Sequence, residues 1–347
     1  MKICIIIPSN KKCSPNNLAV NIAKYISADN SVDVLYLKNS SEDAINNSGF
    51  QYVIRKMRCF DFFNLNKYDV VHSHLFKPDV INALFSILYR PRRTKTISTV
   101  HSNIFLDLSG YIKNKTLSTI VSRAWIILLN KLDFRVVVSS SLGIAHKHKL
   151  RDFIAIPNGI KIINSNDYTN DTDQIDEAER FRVGVLTRLH PGKGIEDAFY
   201  LARNNNRVEV HIYGNGMLEQ QCLDASEKYS NIYFHGYAKD VKSSYEKMDV
   251  FLMSSRHEGF GMTILEALNY KVPVICYNIP VFKEILGDGG YYYNNEVELI
   301  DIVNDYIENH RVIFQEQIER LKFFDEELMF AKYSKLYCGC LSENKMG

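Results

Sequence analysis

VFLMSSRHEGFGMTILEAL, residues 250–268, reads as a short buried strand, a tight glycine turn and the opening of a helix. Val250 to Met253 is an apolar run of strand length, and Gly259 and Gly261 let the backbone turn sharply on either side of Phe260. Ile264, Leu265, Ala267 and Leu268 then recur at helical spacing. Strand, turn and helix in that order is the repeating unit of a parallel sheet covered by helices. The same unit recurs in both directions. Behind this stretch, strands are expected at Arg182 to Leu186, Val208 to Tyr213, Ile232 to His235, Val272 to Tyr277 and Tyr291 to Tyr293. Ahead of it lies an earlier series at Ile3 to Ile7, Val32 to Leu37, Val70 to His74, Thr96 to His101, Arg135 to Ser139 and Ile154 to Pro157. The fold class is therefore α/β with two doubly wound sheets, and ligands of such sheets bind outside the carboxyl ends of the strands.

Between the series runs NSNDYTNDTDQIDEAER, residues 164–180, almost free of large apolar side chains. Its composition marks a linker. The expected organisation is a front domain over 1–165, a hinge over 166–180, a rear domain over 181–328 and a final helix over 329–347. A chain of 347 residues with 46% hydrophobic and 24% charged residues has the length and composition for two soluble domains. MKICIIIPSN is too short an apolar start for a signal peptide, and no stretch of eighteen apolar residues predicts a membrane span. Seven scattered cysteines without a CxxC pair fit neither a disulfide framework nor a zinc site, so a reducing, cytoplasmic setting is expected.

The net charge of +2 conceals a division. Residues 1–165 carry 23 Lys and Arg against 10 Asp and Glu, a balance of +13, which leaves −11 for the remainder. A cationic front half points to an anionic partner, either a membrane leaflet or nucleic acid. YRPRRTK at 89–95 and HKHKLR at 146–151 are dense in cations. Between them KNKTLSTIVSRAWIILLNKL, residues 113–132, has the composition of a helix lying on an anionic leaflet and equally that of a core helix.

The residues able to do chemistry gather at strand ends. Free amides of Phe260, Gly261 and Met262 at a helix start form an anion site, aided by the positive end of the helix dipole. Glu258 and Glu266 flank that site as hydroxyl acceptors for the diols of a ribose and a hexose. FRVGVLTRLHPGKG, residues 181–194, brings Arg188 and Lys193 to a neighbouring strand end, where two cations can neutralise a departing diphosphate. IYGNG, residues 212–216, ends another strand with Gly214 and Gly216, which would let a flat base approach the backbone. Two front strands end in histidines, His72 with His74 and then His101. His72 and His74 alternate along one strand, so only one is expected to face a cleft, and His101, leading into a polar loop, is the favoured functional residue. The three lack metal-ligand spacing, so no metal is assigned. No G-x-G-x-x-G or P-loop signature is present.

Taken together these motifs resemble the family 4 retaining glycosyltransferases of GT-B fold, which build bacterial polysaccharides and glycolipids. The resemblance runs through IPNG at 156–159, GVLTRLHPGKG, IYGNG, the Glu258 to Glu266 motif, KVPVICYNIPVFKEIL at 271–286 and FDEELMFAKYSKLY at 324–337. It implies a last helix that crosses back to the first domain. It also implies that Arg188 and Lys193 take the donor diphosphate, Glu266 the ribose, Glu258 the transferred sugar, and the amides of Phe260 to Met262 the phosphates and sugar. His101 matches the histidine beside the sugar. Where many members carry a glycine-rich loop after the first strand, this chain has KKCSPNN at 11–17, and amides of Asn16 or Asn17 would serve instead.

The function implied is transfer of a hexose or N-acetylhexosamine from a nucleotide sugar, UDP favoured and GDP next, to a sugar acceptor. That acceptor would be a lipid-linked oligosaccharide in O-antigen or capsule synthesis, reached from the inner face of the cytoplasmic membrane, with no cofactor and no metal. Rivals are a nucleotide-sugar epimerase of the same architecture, a glycoside hydrolase, which leaves Arg188 and Lys193 without a role, and a basic nucleic-acid-binding protein. The last lacks interleaved aromatic and basic residues, so nucleic acid is not expected as a partner.

Overall fold

The computed structural model describes residues 1–40, 44–45, 52–91, 93–163, 180–309 and 312–339. The chain forms two compact units, Met1–Gly159 together with the chain from Glu327 onward, and Ile160–Glu326. The linker expected over 166–180 lies outside the described residues except for Arg180.

In the front unit the described strands are β1 (Lys2–Ser9), β2 (Ser31–Lys38), β3 (Val53–Lys56), β4 (Val70–His74), β5 (Lys95–Val100), β6 (Phe134–Val137) and β7 (Ile154–Ala155). They form one sheet in the order β3-β2-β1-β4-β5-β6-β7. Every pairing is parallel. β1 shows why its sequence is apolar without alternation. Ile3, Ile5 and Ile7 pack on one face with the helix Ser14–Ile26, while Cys4 and Ile6 pack on the other with Leu65 and Phe85. A strand covered on both faces needs apolar side chains at every position.

The last helix, Glu326–Cys338, completes that first face. Met329, Phe330, Tyr333, Leu336 and Tyr337 join Ile3, Ile5 and Ile22 in a single cluster. The return of the final helix to the front unit, implied by the family resemblance, is what the structure shows. Tyr333 and Tyr337 are also tied by hydroxyl contacts to Thr99 and His72, so the helix is held by packing and by buried polar bonds.

In the rear unit β8 (Phe181–Leu186), β9 (Val208–Tyr213), β10 (Ile232–Phe234), β11 (Val250–Met253), β12 (Val274–Tyr277) and β13 (Tyr291–Tyr293) form a second parallel sheet in the order β10-β9-β8-β11-β12-β13. Val183, Val185, Val210, Ile212, Val250 and Leu252 make its core with the helix Ile195–Asn204.

Three differences from the sequence reading have local causes. β3 was not expected, because VIRK is short, ends in two cations and lies at a sheet edge. β12 starts after Pro273, which has no N–H to give to a ladder. β6 stops before Ser139, whose hydroxyl instead accepts the Leu142 amide and caps the helix Ser140–His146. Trp125 in the helix Lys115–Leu129 is also settled: its indole is buried and donates to Asp79 at 2.9 Å, so it is a core residue and not a membrane anchor. No described helix is long and apolar enough to cross a membrane.

Leu336 is fully buried where the last helix meets the front sheet. Leu336→Ala is expected to destabilise the protein by about 2–5 kcal/mol, read as a lower urea midpoint. An unchanged midpoint would show that the helix contributes no packing.

Candidate active site

Two strand ends of the rear unit meet through bare backbone. After β8 the turn Pro191–Gly194 lies against the segment Ser254–Glu258 that follows β11. Gly194 has φ +67, and a Cβ there would come 2.1 Å from the carbonyl oxygen of Ser254. Glycine is thus required both for conformation and for space. The Ser254 hydroxyl donates to the Lys193 carbonyl at 2.9 Å, and the Arg256 amide donates to the Gly192 carbonyl at 2.9 Å.

That contact delivers the side chains. The Lys193 ammonium pairs with the Glu258 carboxylate, both partly shielded from water. Arg188 is exposed and meets no carboxylate among the described residues. Gly261, φ +113, caps the helix Met262–Asn269 without a side-chain acceptor. Among the described residues, the amides of Phe260, Gly261 and Met262 have no hydrogen-bond acceptor, whereas the Phe260 ring is buried against Phe324. Glu266, half-buried within the same helix, accepts from the Tyr245 hydroxyl at 3.3 Å, and desolvation raises its pKa against the weaker opposing effect of that bond.

Gly214 and Gly216 lie against the turn that carries Arg188. A Cβ on Gly214 would lie 1.9 Å from the Thr187 carbonyl oxygen, and one on Gly216 2.4 Å from that of Leu189. Leu189 also donates its amide to the Asn215 carbonyl at 2.9 Å. The glycines therefore admit the backbone on either side of Arg188, and so fix where Arg188 starts.

A clamp that no motif announced holds this corner. Asp197, fully buried on the helix Ile195–Asn204, receives two bonds from the Arg256 guanidinium, both 2.7 Å, and one from the Tyr293 hydroxyl at 2.6 Å. The guanidinium lies 3.9 Å above the Tyr277 ring. Its partners come from the ends of three strands and one helix, so only the assembled fold brings them together.

In the front unit His72 and His74 are both buried, with ring centroids 4.3 Å apart. The expectation that only one could face a given side is corrected: residues two apart on a strand share a face. His72 contacts the Tyr337 hydroxyl at 2.6 Å and Thr99 at 2.8 Å, and His74 Nδ1 lies 2.9 Å from His101 Nε2. His101 is half-buried at the carboxyl end of β5. Burial, the largest cause, pushes His72 and His101 down to about 3 and His74 well below its ordinary value, so all three are neutral near pH 7. Among the described residues no group of three His, Cys, Asp or Glu is placed to hold a metal. At the helix Ser14–Ile26, the Asn17 amide is spent on the Cys13 carbonyl, and the Asn16 side chain donates to the Ser9 and Lys11 carbonyls.

Two parallel-sheet units with cations, acidic side chains and a glycine-opened helix at strand ends define a GT-B glycosyltransferase. Residues 169–320 match the family model of glycosyl transferases group 1. It is 26% identical over 351 residues to the O-antigen biosynthesis glycosyltransferase WclY of Escherichia coli, covering 97% of this chain and 98% of the relative. It is 34% identical over 127 residues to the O-antigen chain mannosyltransferase B of E. coli, covering 34% and 33% of the two chains. Among solved structures, Anabaena HepE in complex with UDP and glucose superposes with a TM-score of 0.78 at 19% identity, covering 97% and 99% of the chains. Sucrose-phosphate synthase of Thermosynechococcus elongatus superposes with a TM-score of 0.75 at 15% identity, covering 97% and 98%.

The neutral histidines make stability depend on pH. In the unfolded chain each ring takes a proton as pH falls through 6.5, whereas the folded rings of His72 and His101 resist until about 3 and that of His74 to well below its ordinary value. The unfolded state then binds more protons, so stability falls on acidification. Asp79, pushed up to about 7 by burial, and Glu266, raised by burial, oppose the trend with at most one proton each. Three histidines outnumber two carboxyls, and each net proton is worth about 1.4 kcal/mol per pH unit. The urea midpoint is expected to drop between pH 7 and pH 5; a midpoint that holds or rises would contradict the buried neutral histidines.

Proposed function

We propose that this glycosyltransferase moves a hexose or N-acetylhexosamine from a nucleotide sugar, UDP favoured and GDP next, to a lipid-linked oligosaccharide with retention of anomeric configuration. The observation that carries the reading is the gathering at one end of the rear sheet of Arg188, Lys193, Glu258, Glu266 and three amides that have no acceptor among the described residues. Such a set suits a nucleoside diphosphate linked to a sugar: cations and helix-start amides for phosphate oxygens, carboxylates for hydroxyls. HepE binding UDP and glucose, and relatives acting in O-antigen synthesis, support the same donor and acceptor classes.

In this mechanism the diphosphate takes over Lys193, and Arg188 forks onto its oxygens. Glu266 accepts from the ribose hydroxyls, Glu258 from the sugar, and His101 lies beside the sugar. Departure of the nucleoside diphosphate leaves an oxocarbenium-like ring, attacked by the acceptor hydroxyl on the same face, and the leaving phosphate takes the hydroxyl proton. A well-placed donor to the developing charge is worth about 3 kcal/mol. No step calls on a metal or cofactor.

UDP or GDP is expected to raise the melting temperature, the preferred nucleotide more at equal concentration. Lys193→Ala and Glu266→Ala, with unchanged circular dichroism, are each expected to lower transfer about 100-fold or more. Indifference to both nucleotides, or wild-type transfer by both variants, would refute the site.

Peripheral attachment to an anionic leaflet on the cytoplasmic side is part of the proposal. Leu106, Tyr111, Leu117, Ile120, Ile127 and Ile144 are exposed on the front unit, whose sequence is strongly cationic. Large apolar side chains among lysines and arginines suit an interface of acyl chains and anionic headgroups. Replacing Arg90 and Arg93 by Glu is expected to reduce binding to phosphatidylglycerol vesicles; Arg92, read with them, lies outside the described residues. Binding that stays the same would count against attachment through this cluster.

A further inference from the structure

The contact between His74 and His101 decides which nitrogen of His101 carries a hydrogen. His74 Nδ1 and His101 Nε2 are 2.9 Å apart, so one of two neutral rings must donate to the other. His74 is fully buried, and its Nε2 meets no partner among the described residues. If His101 donated, the single hydrogen of His74 would sit on Nε2 as an N–H with no acceptor. If His74 donates from Nδ1, only a lone pair is left bare at Nε2. Buried orphan N–H groups are rarer than under-satisfied acceptors, and an unmade bond to a buried donor forfeits its desolvation energy.

We propose that His74 is a positioning residue that donates its Nδ1–H to Nε2 of His101, so that His101 presents Nδ1–H as a fixed hydrogen-bond donor to an oxygen of the bound substrate. No described residue meets the Nδ1 of His101, which lies on a half-buried side chain at a strand end. The lone pair of His101 is spent on His74, so His101 is a neutral donor and not a general base. His74 cannot turn away easily. Its ring lies on His72, centroids 4.3 Å apart, and His72 is held on one nitrogen by Tyr337 and on the other by Thr99. Thr99 in turn contacts the Tyr333 hydroxyl at 3.2 Å. The last helix thus braces the pair from below, giving that helix a part in positioning as well as in packing.

The substrate half of this proposal rests on the reading of His101 as a substrate contact; the tautomer half does not, and the two separate experimentally. Long-range proton–nitrogen correlation spectra of the full chain with nitrogen-15 histidine, without ligand at pH 7.5, report the tautomer directly. They should show His101 with its hydrogen on Nδ1 and an unprotonated Nε2; a hydrogen on Nε2 overturns the assignment and needs no variant to do so. His74→Leu should release His101 into a mixture of tautomers or to the Nε2–H form. His74→Asn, whose amide nitrogen takes roughly the place of imidazole Nδ1, should restore Nδ1–H. With UDP-glucose as donor and UDP release as the signal, His74→Leu should lower turnover about tenfold or more, the value of one hydrogen bond to a positioned group, and His74→Asn should recover most of it. Wild-type turnover in His74→Leu would overturn the positioning role. Wild-type turnover in His101→Ala, with the expected spectra, would overturn the substrate contact while leaving the tautomer assignment standing.

Discussion

A backbone approach that only glycine permits holds the rear corner together. Gly194 runs so close beneath the Ser254 carbonyl that a methyl group would overlap it, and the two segments exchange the Ser254 hydroxyl and the Arg256 amide for the carbonyls of Lys193 and Gly192. Lys193 and Glu258 therefore meet by construction. Removing that closeness would separate two strand ends, and with them the cation from the helix-start amides. The Asp197 clamp makes the arrangement stiff: a buried carboxylate that accepts three bonds cannot lose Arg256 without leaving charge stranded in the core. Preorganisation of this kind is what electrostatic catalysis requires, since donors that must first be reoriented contribute less to a transition state.

The front unit is built on a different constraint. Its histidines sit at strand ends, where chemistry is expected, yet burial strips them of charge and spends most of their nitrogens on neighbours. An imidazole in that state is a shaped polar surface and not a titrating group near neutral pH. The final helix is part of the same device, because Tyr333 and Tyr337 supply both apolar packing and the hydroxyls that satisfy Thr99 and His72. Packing and polar satisfaction come from the same side chains.

Much of the fold was legible in the sequence because parallel strands buried on both faces are written as apolar runs. Val208 to Tyr213, Val250 to Met253 and Tyr291 to Tyr293 were read with their observed bounds. β3 was hidden because an edge strand of four residues tolerates Arg55 and Lys56 and shows little pattern. Site residues were legible where glycine marks a close approach. At Gly214 and Gly216 the close approach is to the backbone of the neighbouring turn at Thr187 and Leu189, a partner that the local sequence does not name. Asp197, Arg256 and Tyr293 left no signal, since their spacings of 59 and 96 residues from Asp197 mean nothing until the sheet order is known. The shared face of His72 and His74 was available from strand periodicity alone and was misread.

The pairing of Lys193 with Glu258 bears on how such a site can be both stable and ready for an anion. Both side chains keep some access to water, so solvent screens the pair and its net contribution to stability is small, about 1 kcal/mol or less for pairs of this kind. Glu258 thus holds the ammonium in place without binding it tightly. On the proposed reading, an incoming diphosphate, carrying more charge and meeting Arg188 and the Phe260 to Met262 amides at once, would outcompete a single carboxylate, and Glu258 released from the ammonium would be free to accept from a sugar hydroxyl. On the same reading, one weak ion pair holds the cation in place before the donor arrives and frees the carboxylate when it does.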